Sequence, residues 1–135
     1  PWKTALSDQW YPYTPAWQST AALKTASDLL LTEGLSVAIE RHERAATLCR
    51  TGIGNLGLEL FPAREAYCSP TVTVVRIPEG LTWKSLNESF RREGLVVGGA
   101  FGALAGKVFR LGHMGTKADA AVVQSGLDVI GRVLS

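Results

Sequence analysis

The sequence predicts an α+β domain, in which a small, mostly antiparallel sheet has helices packed on one face. Two observations predict it. Apolar residues recur every three or four positions near both ends of the chain, and every second position in the segments "SPTVTVVRIP" and "KVFRLG" between them. The chain has 135 residues, of which 46% are hydrophobic and 19% charged, enough for one domain with a modest core.

Two helices are predicted first. In "YTPAWQSTAALKTASDLLLTEG", Thr14 is suited to cap the helix, Pro15 to occupy its first position and Gly34 to end it. Its expected apolar face comprises Trp17, Ala21, Leu29 and Leu30. The second helix ends near the glycines of "TGIGNLG", and its expected apolar stripe comprises Leu35, Ile39, His42, Ala46, Cys49 and Ile53.

The rest of the chain predicts the order β-β-α-β-β-α. The predicted strands are "LGLELFP", "SPTVTVVRIP", "LVVGG" and "KVFRLG", and the helix between the two pairs runs from Thr82 to Gly94. The last helix is expected to begin with a capping box of Thr116 and Asp119. Its expected apolar stripe comprises Ala118, Val122, Val129, Ile130 and Val133.

Composition argues against several partners. The net charge of +2 gives no reason to expect nucleic acid or an anionic membrane as a partner. No signal peptide or membrane-spanning stretch is recognisable, since the apolar run from Leu95 to Gly106 is only about a dozen residues long. Cys49 and Cys68 lie in no metal-ligand spacing, so we expect no metal site and reduced thiols in a cytoplasmic protein.

Several catalytic motifs fail on inspection. A Walker loop would need glycine and a hydroxyl residue where the chain has Phe101 and Val108, and a Rossmann loop would open a helix rather than join two strands. His42 lies on the apolar stripe of its helix, where a buried, hydrogen-bonded structural role is expected. His113 is open to two readings, orienting a ligand or packing. The residues by themselves therefore indicate no catalytic group.

Two candidate anion sites remain. In "GKVFRLGHMG", strand alternation points Val108, Arg110 and Gly112 to one face, and Phe109 and Leu111 into the core. A guanidinium beside glycines suits a carboxylate or a phosphate, although an edge arginine in water is the alternative. The second site is the helix start in "YPYTP", with free N–H groups, Tyr11 and the Thr14 hydroxyl; an ordinary helix cap is its alternative.

These segments resemble the C-terminal small domain of class V aminotransferases, in the alanine–glyoxylate, serine–pyruvate and serine–glyoxylate branch. The resemblance runs through "YPYTP", "LLLTEGL", "ERHERAATLCR", "GLELF", "SPTVTVVRIPEG" and "GKVFRLGHMG", in that order over nearly the whole chain. The last of these is the most specific, and "SPTVT" and "RH" support it.

The resemblance implies pyridoxal phosphate as cofactor. It implies that Arg110 binds the α-carboxylate of the amino acid or 2-oxo acid substrate. It also implies that Tyr11 and Thr14 reach the cofactor phosphate of the neighbouring subunit in a homodimer, and that Gly98 and Gly99 let the backbone lie close to the substrate. The substrates would be a small amino acid of the alanine or serine type and an acceptor such as glyoxylate or pyruvate.

The same resemblance places the Schiff-base lysine, and the aspartate that pairs with the pyridine nitrogen, in a large domain outside residues 1–135. None of Lys3, Lys24, Lys84, Lys107 and Lys117 has the expected context, so no catalytic residue is assigned in this segment. The expectation is a single small domain that completes its site with the large domain and a second subunit, and that is inactive alone. The glycine loop "GGAFGALAGK" is one residue longer than the matching loop of that family. The contacts of the loop, and with them the substrate preference, are therefore not carried over from the resemblance.

An alternative function remains open, a non-catalytic α+β module that binds a small anion or a protein partner. Apolar surface patches would favour the transaminase piece, and a well-solvated surface would favour the module.

Overall fold

The computed structural model describes residues 2–9 and 14–135, and two compact units make up the chain, Pro1–Ala38 and Ile39–Ser135. The helices are α1 (Trp2–Asp8), α2 (Trp17–Glu33), α3 (Leu35–Asn55), α4 (Trp83–Arg92) and α5 (Ala120–Leu134). The strands are β1 (Val72–Arg76), β2 (Gly98–Gly99) and β3 (Val108–Gly112), and short 3₁₀ turns lie at Glu65–Tyr67, Gly102–Leu104 and Gly115–Lys117.

In the unit from Ile39 onward, the three strands form one antiparallel sheet in the order β1-β3-β2. Arg110, at the middle of β3, lies opposite Val74 of β1 and Gly98 of β2. One face of the sheet carries the core, in which Phe90 of α4 and Phe109 of β3 pack with ring centroids 5.6 Å apart. The other core residues come from α3, β1, α4, β3, α5 and the segment just before α5: Ala45, Cys49, Ile53, Val75, Leu86, Leu111, Ala118, Val123, Leu127 and Ile130. The predicted α+β class, with helices on one face of a small sheet, is confirmed.

Two predicted strands are much shorter than expected. The segment over residues 56–62 makes only a single bridge, Leu60 to Val75, with one hydrogen bond on either side of it, from Phe61 N–H to the Val74 carbonyl and from Arg76 N–H to the Glu59 carbonyl. In the predicted strand "LVVGG", Leu95 N–H donates to the Phe90 carbonyl, so Leu95 is still part of the turn that ends α4. Only Gly98–Gly99 pair with β3.

Two predicted helix starts are wrong. Trp17 N–H bonds the Pro15 carbonyl in a tight turn at 2.9 Å, so α2 begins at Trp17 with Ala16 as its cap, and Thr14 caps nothing. At the last helix, Asp119 rather than Thr116 is the N-cap, and its carboxylate accepts from Val122 N–H at 3.0 Å. Thr116 lies in the preceding 3₁₀ turn.

The apolar stripes also differ from expectation. In α5 the buried residues include Val123 and Leu127, whereas the predicted Val122 is exposed. In α3 the buried stripe holds Ala46, Cys49 and Ile53 as predicted, but Leu35 and Ile39 are exposed. In α2 no residue is buried, and the predicted apolar residues Trp17, Leu29 and Leu30 are exposed. Helix α1 was not predicted.

Candidate functional site

Strand β3 presents Arg110 on the face opposite the core. Phe109 and Leu111 are buried and Arg110 is exposed, as strand alternation predicts. Val108, expected on the Arg110 face, is nonetheless buried. The strand lies between β1 and β2, so its backbone is held from both sides, and the arginine projects from the most constrained strand of the sheet.

The Arg110 guanidinium is anchored by one nitrogen and open at the others. Its Nε donates to the Gly99 carbonyl at 2.8 Å, and within residues 2–9 and 14–135 its two Nη atoms have no hydrogen-bond partner. The Nε anchor limits the movement of the guanidinium and leaves both Nη groups of this exposed side chain available to a ligand. This arrangement is suited to a carboxylate, which accepts two parallel N–H bonds from such a fork.

Gly99 has a steric reason to be glycine. A Cβ added there would lie 2.8 Å from two atoms of the Trp83 indole ring, Cε2 and Nε1. Trp83 itself packs against the core, and it is the first residue of α4 because Thr82 caps the helix and accepts from Ser85 N–H at 3.1 Å. The cap therefore places Trp83, Trp83 supports Gly99, and the Gly99 carbonyl holds Arg110.

Gly98 makes room for the arginine directly. A Cβ there would lie 3.4 Å from the nearer Nη of Arg110, in contact with the guanidinium. The space beside both glycines is thus taken by Arg110 and Trp83. That the backbone of Gly98 and Gly99 lies close to the substrate remains a prediction.

Phe101 stands over the guanidinium of Arg110, with its ring centroid 5.9 Å from Cζ. The ring is 86% exposed, although a phenyl group gains by burial, and the loop that carries it is closed by backbone hydrogen bonds from Leu104 to Phe101 and from Ala105 to Gly102. The distance is within the range of a cation–π contact. Sequence reasoning missed this residue; the signal available was one aromatic residue in an otherwise small-residue loop.

Below β3, on the core side, His113 and Thr73 form a buried polar pair. Thr73 Oγ1 and His113 Nε2 are 2.9 Å apart, and each residue is 2% exposed. Burial, aided by the charges of Arg50 and His42, lowers the pKa of His113 below its ordinary value. His113 is therefore packed at the exit of β3, on the side of the sheet opposite Arg110, in agreement with the packing alternative.

His42 and its neighbour hold the loop that follows β3. His42 Nε2 accepts from Gly115 N–H at 2.9 Å, while Arg41 donates to the carbonyls of Gly115 and Ala118 at 2.6 and 3.2 Å. His42 is half-buried rather than buried, and its expected structural, hydrogen-bonded role is confirmed. The "RH" pair thus ties α3 to the segment after the arginine strand.

A cavity of about 600 Å³ lies between α5 and the strand β3, and its lining includes Cys49, His113, Lys117 and Val123 but not Arg110. Burial raises the pKa of the Cys49 thiol. The cavity is mainly apolar in lining.

The second predicted anion site is described only in part. Tyr11 lies outside the described residues. Thr14 is exposed and precedes α2 without capping it. The phosphate-binding role of both residues remains a prediction.

The five lysines of the chain are all exposed. Among the described residues, no cluster of histidine, cysteine or acidic side chains is arranged to hold a metal ion, and no helix has the length and apolarity needed to cross a membrane.

Known proteins resemble this chain in both sequence and structure. It is 35% identical over 136 residues to pyridoxamine–pyruvate transaminase of Mesorhizobium japonicum, covering 99% of this chain and 35% of the relative. It is 37% identical over 106 residues to serine–glyoxylate aminotransferase of Hyphomicrobium methylovorum, covering 78% and 26%. The alanine–glyoxylate aminotransferase structure from Nostoc superposes with a TM-score of 0.87 at 32% identity, over 96% of this chain and 34% of that one.

The chain belongs to the class V aminotransferases. It matches their C-terminal part and spans about a third of the length of these relatives. No protein-family profile matches it. The predicted resemblance is confirmed, and Arg110 with its supporting residues lies in the region that matches the C-terminal part of these relatives.

Proposed function

We propose that this chain supplies the substrate-carboxylate site of a pyridoxal-phosphate-dependent aminotransferase. The reaction moves an amino group between a small amino acid of the alanine or serine type and a 2-oxo acid such as glyoxylate or pyruvate. The observation that carries the proposal is the geometry of Arg110, anchored through Nε and open at both Nη atoms. Relatives named for transamination of pyruvate or glyoxylate support the choice of substrates.

Arg110 acts by position. Two parallel hydrogen bonds to a carboxylate fix the direction of the bond from the carboxyl carbon to the α-carbon. Holding the substrate in one orientation removes rotational freedom before the reaction, which contributes to its rate. Bound pyridoxal phosphate supplies the electron sink for the chemistry at the α-carbon.

The residues of this chain fit a partial role toward the cofactor. The exposed Thr14 hydroxyl is free to donate to a phosphate oxygen, and Tyr11 precedes it by three residues. All five lysines of the chain are exposed, and the resemblance to class V aminotransferases assigns the cofactor-bearing lysine to a large domain. We further propose a cytoplasmic homodimer in which Tyr11 and Thr14 serve the neighbouring subunit's cofactor.

The exposed apolar residues of helix α2 support the proposal that the chain is part of a larger assembly. It buries none of its residues and exposes Trp17, Leu23, Leu29 and Leu31. A helix gains most of its stability from packing an apolar face, so this one is suited to a covering domain or subunit. The exposed apolar residues favour this proposal over an independent anion-binding module, for which a well-solvated surface is expected.

The test uses the product of the full reading frame, loaded with pyridoxal phosphate. Arg110→Ala removes two charge-assisted hydrogen bonds, about 3 kcal/mol together, so the KM for the 2-oxo acid is expected to rise about 100-fold. Arg110→Lys is the matched control, because it keeps the positive charge without the forked pair of donors. Its KM should fall between those of the wild type and Arg110→Ala. Cofactor absorbance should be the same in all three proteins.

An unchanged KM in Arg110→Ala would remove the carboxylate assignment. A wild-type product that neither binds the cofactor nor transaminates would instead favour the non-catalytic module. Sedimentation of the same product tests the dimer.

A further inference from the structure

Phe101 is the residue beside Arg110 to which no role has been assigned. It lies directly after the first residue of the loop that joins β2 to β3, and its ring is among the most exposed in the described part of the chain. The ring nevertheless faces one specific group, the guanidinium, at 5.9 Å from its centroid to Cζ. An exposed aromatic ring held against a cation indicates a function for that contact.

The loop holds the ring in place through its own backbone. Gly102 and Gly106 adopt positive φ angles of 58° and 74°, which a residue with a Cβ rarely adopts, and these close two consecutive turns. Ala105 N–H bonds the Gly102 carbonyl at 3.1 Å and Lys107 N–H bonds the Leu104 carbonyl at 3.0 Å. Phe101 is therefore carried by a defined turn anchored at the start of β3.

Each contact of Arg110 constrains a different part of the side chain. The Gly99 carbonyl holds Nε, Gly98 leaves space beside the nearer Nη, and the Phe101 ring lies near Cζ, with its centroid 5.9 Å away. Without the ring, the guanidinium keeps one hydrogen bond and gains freedom to turn about it. The negative face of the ring attracts the cation and favours the orientation in which Cζ lies over the ring.

We propose that Phe101 is a positioning residue that pre-orients Arg110 for the substrate carboxylate through a cation–π contact. The proposal rests on the carboxylate role of Arg110 given above. It makes the unusual loop a determinant of carboxylate affinity rather than a connection alone.

The experiment measures kcat and KM for the 2-oxo acid in the holoenzyme made from the full reading frame, with variants of Phe101. Phe101→Leu keeps an apolar side chain without the aromatic face, and the KM is expected to rise about two- to five-fold, the value of an exposed cation–π contact. Phe101→Trp and Phe101→Tyr should keep the KM at or below that of the wild type, since both retain an aromatic face. In all of them kcat should change less than two-fold.

The matched control is Tyr67→Leu, which removes another exposed aromatic ring, 69% exposed, from the 3₁₀ turn Glu65–Tyr67 and should leave KM unchanged. Equal KM values for the leucine, tryptophan and wild-type forms of position 101 would overturn the proposal. If Arg110→Ala raises KM while Phe101→Leu does not, the positioning role fails and the proposed function stands. If neither changes KM, the proposed function itself fails.

Discussion

The contact between Trp83 and Gly99, whose carbonyl holds Arg110, predicts that a single added methyl group will have a large effect on stability and on KM. In Gly99→Ala the new Cβ would lie 2.8 Å from Trp83 Cε2 and Nε1, whereas such atoms normally lie about 3.5–4.0 Å apart. The indole is rigid and packs against the core, so either the ring or strand β2 must move by about 1 Å. Overpacking of this kind typically costs about 1–3 kcal/mol.

The assay is urea unfolding of the full-length holoenzyme, together with its KM for the 2-oxo acid. We expect the free energy of unfolding to fall by about 1–3 kcal/mol. KM should also rise, because the Gly99 carbonyl that holds Arg110 is displaced. The expected increase is about five-fold for each kcal/mol lost from carboxylate binding. Gly54→Ala is the control, since an added Cβ in this part of α3 meets no atom within 4 Å and should leave stability equal or raise it by up to about 1 kcal/mol.

A Gly99→Ala protein with wild-type stability and wild-type KM would refute the reasoning. It would mean that Trp83 does not support the Gly99 backbone in solution.

Two further predictions concern the buried pair at the exit of β3. Thr73→Val keeps the shape but removes the hydroxyl bonded to His113, so the free energy of unfolding should fall by about 1–3 kcal/mol in urea titrations; an unchanged midpoint would show that the pair is not formed. The pKa of His113 is lowered on folding from its ordinary 6.5, so below about pH 6.5 the unfolded chain binds a proton that the native protein does not, and stability should fall with acidification. His113→Asn should flatten this part of the pH profile relative to the wild type, and identical slopes would contradict the assignment.

Short-range patterns predicted the parts of the fold that depend on local chemistry. Alternation along β3 correctly placed Phe109 and Leu111 in the core and Arg110 outside it. The helix α4 was recognisable because Thr82 and the apolar spacing of Leu86 and Phe90 are signals within a few residues of each other.

Features set by distant contacts were not predictable in this way. The position of the Arg110 side chain depends on Trp83 and Phe101, which lie 27 and 9 positions before it in sequence. Trp83 supports Gly99, Phe101 contacts the guanidinium, and both come near Arg110 only when β2 pairs with β3. The carboxylate role of Arg110 came from the family resemblance, since a single arginine in a strand is compatible with simple exposure.

The most direct test of the central claim compares propionate with propionamide as competitive inhibitors of the full-length holoenzyme. The two molecules have nearly the same shape, and only propionate offers the carboxylate that Arg110 is proposed to bind. We expect propionate to inhibit the wild type far more strongly than propionamide, and the two inhibition constants to become nearly equal in Arg110→Ala. A preference for propionate that survives in Arg110→Ala would contradict the account.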